Sequence, residues 1–225
     1  MLHPRSRLML QLFLCMLLVP TLAFGQTIAV PDVGSIGIGA YHYRGHRDMR
    51  DGYTPDWSGN GVAVHVAATH RVILAGMGWY RPARPEPRFP TRRYEDFAIG
   101  GSATGYALVS GGYRVGASIT YLRTIGFDQS PTRFDKVVER TTAAIQVERT
   151  LSLKRVSALL WVAPAYLRDR YFQYPGLQPE GRAASHRDFG VIVGSSVTLW
   201  GHAVPFVQFG FVEYPQSYFG FNYIY

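Results

Sequence analysis

Few residues in this chain are grouped as chemistry would need them. His186-Arg187-Asp188 puts an imidazole, a guanidinium and a carboxylate within three positions, the makings of an acid–base site. Asp48 and Asp51 could chelate a cation. A general base, however, works only with a partner held in hydrogen-bond reach, and polar loops commonly carry such residues simply solvated. No Asp-x-His pair, no metal-ligand spacing and no Gly-rich phosphate loop occurs. A Ser–His relay leaves no local signature, because its members need not be close in sequence. The expected catalytic, metal and cofactor sets are therefore empty.

Arginine is the more informative residue type. Arg81, Arg84, Arg88, Arg92 and Arg93 punctuate a Pro-rich segment that holds three acids. The guanidinium fork matches phosphate geometry, so this segment is a candidate contact for a phosphorylated ligand. Its plainer reading is a solvated charged loop.

These residues are placed by a pattern that covers the whole chain. Beyond an N-terminal leader there are 36 charged residues, and 28 of them fall in four stretches, about 44–60, 81–97, 123–141 and 168–188. Between them lie nearly charge-free segments about ten residues long that alternate apolar with small or polar side chains. Ten strands are expected, near 35–44, 61–69, 72–80, 97–108, 113–122, 142–151, 156–167, 189–200, 203–212 and 216–225. Tight turns are expected at 69–71, 110–112, 152–154 and 201–203. Long charged loops alternate with them, until a short turn at Pro215. Eight strands is the alternative, should 97–108 or the Pro205-bearing 203–212 fall short of a full strand.

Val62, Val64, Val66 and Ala68 share one face of their strand, against Ala63, His65 and Ala67. Tyr113, Val115, Ala117, Ile119 and Tyr121 alternate with Arg114, Gly116, Ser118 and Thr120, and Ile145 and Val147 with Gln146 and Glu148. Segments 97–108 and 156–167 alternate poorly. Such strands exceed the usual soluble length and match the 9–11 residues that cross a bilayer. Lipid offers backbone groups no partner, so a strand-built membrane domain must close into a barrel. Aromatics near strand ends (Tyr41, Tyr43, Trp79, Tyr80, Tyr121, Trp161, Tyr166, Trp200, Tyr214) are expected at the two membrane interfaces. Arg114 and Glu148 fall on the polar faces of neighbouring strands near the tight-turn end. With His65 and Gln146 they are expected to form a lumen network, since buried charges must be paired.

Residues 1–25 read as a cleaved signal peptide. Arg5 and Arg7 are followed by the short apolar core Leu8–Val19, and Ala23-Phe24-Gly25 sets small residues at the cleavage site. The domain is then 26–225, cysteine-free, with the net charge of +8 falling to +6 once Arg5 and Arg7 are removed. No feature of nucleic-acid recognition is present.

The chain ends Ser217-Tyr218-Phe219-Gly220-Phe221-Asn222-Tyr223-Ile224-Tyr225, with Phe219, Phe221, Tyr223 and Tyr225 alternating to a terminal aromatic. This resembles the closing strand of bacterial outer-membrane β-barrel proteins. The resemblance implies an all-β, antiparallel up-and-down transmembrane barrel, integral to the outer membrane, with both termini periplasmic and the long loops outside. It also implies that these four aromatics serve the barrel-assembly machinery and that outer-membrane lipid surrounds the barrel, where the phosphates of lipopolysaccharide are the ligand that the guanidinium chemistry of Arg81, Arg84, Arg88, Arg92 and Arg93 would fit. A structural or surface-interaction role with a side-chain-filled lumen is expected. The alternatives are a lipid A-modifying hydrolase of the same architecture, which would show a Ser and a His within reach on the lipid-facing wall or outer rim, and a soluble lipocalin-like carrier, whose lumen would be more apolar than its outside.

Overall fold

The computed structural model describes residues 33–46, 56–86, 89–129, 134–153, 156–175, 184–212 and 214–225. The signal-peptide segment, Asp48, Asp51 and Arg88 lie outside them. Ten strands run β1 (Ile36–His46), β2 (Asp56–Thr69), β3 (Val72–Glu86), β4 (Phe89–Ser110), β5 (Tyr113–Asp128), β6 (Phe134–Leu153), β7 (Val156–Pro175), β8 (Ala184–Leu199), β9 (Ala203–Val212) and β10 (Tyr214–Ile224). Each pairs antiparallel with the next, and β10 closes on β1. The fold is an all-β, ten-stranded, up-and-down closed barrel.

The register sets the barrel's shape. Directly opposed residues lead from Arg149 through Leu160, Ser195, Val207 and Phe219 to His42. They continue through Asn60, Tyr80, Phe97 and Ile125 to Val137, back on β6 and twelve residues from the start. With strand rise and spacing at their usual values, that stagger tilts the strands by about 40°. A ten-stranded barrel of this tilt has room for side chains but not for a wide channel.

The two ends differ. At one end the turns are tight. Gly111 and Gly112 both have positive φ between the paired Ser110 and Tyr113, a two-residue hairpin of the kind that matches strand twist. Trp200 and Gly201 also have positive φ, in a three-residue connection between the paired Leu199 and Ala203 in which the His202 N–H donates to Leu199 O at 3.1 Å. At the other end β4, β6 and β7 reach 20 residues or more, twice what the bilayer needs. The 81–97 segment expected as a long loop is instead the extended β3–β4 hairpin, paired as far as Glu86 and Phe89. His186-Arg187-Asp188 likewise lies within β8, not in a loop. The strands go on pairing through the charged stretches instead of ending where these begin.

Two prolines interrupt the ladder. Pairing of β6 with β7 skips the Ile145–Gln146 and Ala163–Pro164 stretch, and pairing of β8 with β9 skips the stretch around Pro205. Proline has no N–H to donate there. β7 fails to alternate because Leu159, Trp161, Ala163, Ala165 and Leu167 face inward while Leu160, Val162 and Tyr166 face out, so both faces are apolar. β4 is masked by small residues on both faces and by a bulge between Tyr106 and Leu108.

Candidate functional site: an ion-paired lumen and a charged outer rim

The inward positions are buried and mix polar and charged side chains with aromatic and aliphatic ones, whereas the outward ones are mostly apolar and exposed. Val62, Val64, Ile119, Ile145, Phe219 and Phe221 all point out with large exposures. His65, Gln146, Glu148, Gln208 and Asn222 are buried inside. Tyr80, Phe97, Tyr121, Phe189 and Phe211 are exposed towards the long-strand end, and Tyr113, Trp200, Tyr223 and Tyr225 at the tight-turn end. Between these two aromatic rows no outward-facing described residue carries a formal charge. An apolar, charge-free outer band around a lumen that holds ion pairs is what lipid selects, and it does not suit a soluble lipocalin-like carrier.

Tyr41, Tyr43, Trp79 and Trp161 are an exception to the expected girdles. They turn inward and are almost wholly buried. Lumen glycines make this room: a Cβ on Gly194 would lie 2.2 Å from the Trp161 ring, and one on Gly61 2.4 Å from the Tyr41 ring. A sequence pattern of aromatic against glycine across neighbouring strands marks this packing, whereas the aromatic's position along its own strand does not.

The lumen charges form two groups. Near the tight turns, Arg114 Nη2 lies 2.6 Å from Glu148 Oε2, on directly opposed residues of β5 and β6. Tyr106 Oη donates to Glu148 Oε1 at 2.7 Å, Gln146 Nε2 donates to the same oxygen at 3.1 Å, and the Arg114 guanidinium sits 4.7 Å above the Tyr106 ring. Tyr106 was not foreseen, because the bulge in β4 decides where it points. His65, on β2, is fully buried with neither ring nitrogen hydrogen-bonded, so no hydrogen bond links it to the group.

Eight residues farther along β6, about 20 Å up the barrel, Arg140 donates from Nε and Nη2 to the two carboxylate oxygens of Asp169, both at 2.8 Å. Its Nη1 donates to Gln216 Oε1 at 3.2 Å. Beside it Arg81 pairs with Asp96, whose other oxygen is 3.5 Å from Lys136 Nζ. Lys136 also lies over the Tyr94 ring at 4.2 Å. This upper group was hidden in the sequence inside stretches that read as loop charge. Between the two groups Tyr41, Met77, Ala163, Ile192 and Tyr218 fill the middle of the lumen.

Of the five arginines of the 81–93 segment, the structure describes the side chains of two. Arg81 is a buried lumen residue, and Arg93 is exposed outside. Arg84 and Arg92 lie on β3 and β4. On the outer wall His42 Nδ1 is 2.8 Å from Asn60 Oδ1. Among the described residues the groups of three or more His, Cys, Asp or Glu that could hold a metal ion number none, and no helix is long and apolar enough to cross a membrane, which says nothing of strands.

No family model matches the chain, and no curated protein matches it. Solved structures do. The outer membrane protease OmpT of Escherichia coli is 12% identical, over 89% of this chain and 99% of that one, with a TM-score of 0.45. The β domain of the Bordetella autotransporter BrkA is 11% identical, over 84% and 99%, at 0.43. The attachment invasion locus protein Ail of Yersinia pestis is 9% identical, over 86% and 99%, at 0.30. The membrane-barrel assignment rests on this chain's own closed ladder and side-chain facing, and the solved structures it is similar to are bacterial outer-membrane β-barrels.

Proposed function

We propose that this chain is an integral outer-membrane barrel with a plugged lumen, a structural scaffold that holds its long β-hairpins above the membrane as a surface for interaction. The observation that carries the reading is the two ionic groups inside a narrow lumen, each built from opposed residues of adjacent strands, Arg114–Glu148 below and Arg140–Asp169 with Arg81–Asp96 above. These ion pairs are buried and aromatic and aliphatic side chains fill the lumen between them, so the interior is packed like a core and does not suit diffusion. The tight turns and both termini would be periplasmic, and Phe219, Phe221, Tyr223 and Tyr225 would present the assembly signal. Outer-membrane lipid, including lipopolysaccharide, would be the surrounding partner.

Fractionation with heat-modifiable gel migration tests the location. The purified barrel should sit in the outer membrane, migrate differently before and after boiling, and give no porin-sized current steps in planar bilayers. A detergent-free soluble protein, or steady large currents, would sink the scaffold reading.

One observation favours a second reading, a lipid hydrolase. Asn60 fixes His42 through Nδ1 on the outward wall, leaving Nε2 available as a base, and Ser58 is two positions from Asn60 on the same face. A serine-directed fluorophosphonate would label Ser58 if this reading holds. An unlabelled, fully folded barrel would dispose of it.

A further inference from the structure

The barrel closes where β10 meets β1, and phenols from both strands meet there inside the lumen. Tyr43 and Tyr218 are directly opposed in that ladder, with ring centroids 4.9 Å apart and planes inclined by 31°. Tyr41, two positions earlier on β1, holds its ring 5.5 Å from that of Tyr218, at 57°. Trp79 of β3 extends the row, 5.8 Å from Tyr43. All four rings are buried, while Tyr80, the chain neighbour of Trp79, is exposed on the outer wall. Packing alone would be served by phenylalanine, which takes no hydroxyl out of water. Here the Tyr43 hydroxyl donates to Gln216 Oε1 and accepts from Arg140 Nη1, both at 3.4 Å.

We propose that Tyr43 and Tyr218 form an oxidative cross-linking site, at which a one-electron oxidant derived from peroxide joins the two rings into dityrosine and closes the barrel covalently. Each phenol yields one electron and one proton. A new C–C bond forms between ortho carbons of the two rings, two ortho C–H bonds break, and both hydroxyls are kept, so the product is lighter by two hydrogens. One hydrogen peroxide takes up the two electrons and two protons and leaves as two waters. The oxidant stays outside the lumen, because an oxidising equivalent passes from exposed Tyr80 through Trp79 to Tyr43, whose ring touches that of Tyr218. The β1–β10 ladder is the one that no turn holds together, since its strands are the first and last of the barrel. A cross-link there closes the longest loop and removes the most freedom from the unfolded chain. Residues 26–225 contain no cysteine, so no disulfide within them does this.

The test uses the full chain, folded in detergent at high dilution, with photo-oxidised tris(bipyridyl)ruthenium as the one-electron oxidant and persulfate as the terminal acceptor. Peptide mass spectrometry should find Tyr43 joined to Tyr218 with the loss of two hydrogens. Boiled samples should show a faster gel band, because the denatured chain is then a loop. The folded protein should give about tenfold more of this product than the urea-unfolded chain, in which the two rings meet only by chance. Y43F and Y218F keep the ring, drop the hydroxyl, and should abolish both product and band. Y223F, in the exposed Tyr223–Tyr225 pair whose centroids are 4.8 Å apart, should leave them unchanged. Coupling confined to Tyr223–Tyr225, to Tyr41–Tyr218 or to separate molecules would overturn the proposal. So would equal yield in urea, or a fast band that survives in Y218F. The folded-against-urea comparison decides alone should the phenylalanine variants fail to fold.

Discussion

Arg140 and Asp169 meet across β6 and β7 through two parallel 2.8 Å hydrogen bonds, buried at the level of the upper aromatic girdle. Asp169 is registered opposite Arg140 itself, so the bidentate geometry needs no displacement of either backbone. Gln216 on β10 takes a further Arg140 proton at 3.2 Å, which ties the pair across the lumen to the closing strand.

Removing one partner leaves the other as an uncompensated buried charge. Asp169→Ala should cost about 3–5 kcal/mol in reversible urea unfolding. R140L/D169L should recover most of that loss, because an apolar pair leaves no charge behind. A single-variant cost below about 1 kcal/mol would mean that the upper lumen is hydrated like a surface.

Arg114 and Glu148 test the lower group in the same way, with a difference. Glu148 also accepts from Tyr106 and Gln146, at 2.7 and 3.1 Å. Arg114→Ala therefore leaves the carboxylate two donors, whereas Glu148→Ala strands a guanidinium that keeps only the Tyr106 ring. Glu148→Ala should be the more destabilising, by about 1 kcal/mol, one charge-assisted hydrogen bond. The two unfolding midpoints compared side by side decide it.

The lower pair was legible in the sequence and the upper group was not, for a physical reason. Arg114 and Glu148 interrupt charge-free strands, so their isolation marks them as inward and in need of a partner. Arg140, Asp169, Arg81, Asp96 and Lys136 sit where charge is dense, and density hides which of them turn inward. Only the face each takes on a strand that continues above the bilayer separates Arg81, inside, from Arg93, outside. Facing was readable wherever the lumen side is polar or small, as in β2 and β5. It failed in β7, where the lumen side is apolar as well.

The outward wall gives a third prediction. Val64 and Ile119 are exposed between the two aromatic rows, on β2 and β5. Val64→Arg or Ile119→Arg should cost about 2–4 kcal/mol in lipid vesicles, as charge does near the bilayer midplane. The same substitution at Thr141, beside the charged rim, should cost far less. Equal costs at all three sites would contradict the placement of the membrane.

The packing of glycine under aromatic gives the last. A Cβ on Gly194 would come within 2.2 Å of the Trp161 ring, and Gly194 is registered directly opposite Trp161. The indole is buried and has nowhere to retreat, with Leu159 and Ala163 closely packed on its own strand. Gly194→Ala should therefore destabilise the barrel by about 1–3 kcal/mol, the cost of overpacking. By strand propensity alone the substitution would stabilise, since glycine weakens a strand interior, so the sign of the effect discriminates between the two causes. Trp161→Leu in the Gly194→Ala background should recover part of the loss, because the smaller side chain vacates the space that the new methyl needs. A double-mutant cycle of thermal unfolding in detergent measures the coupling. Strict additivity of the two substitutions would show that ring and methyl do not meet, and that the lumen at this level is looser than the register implies.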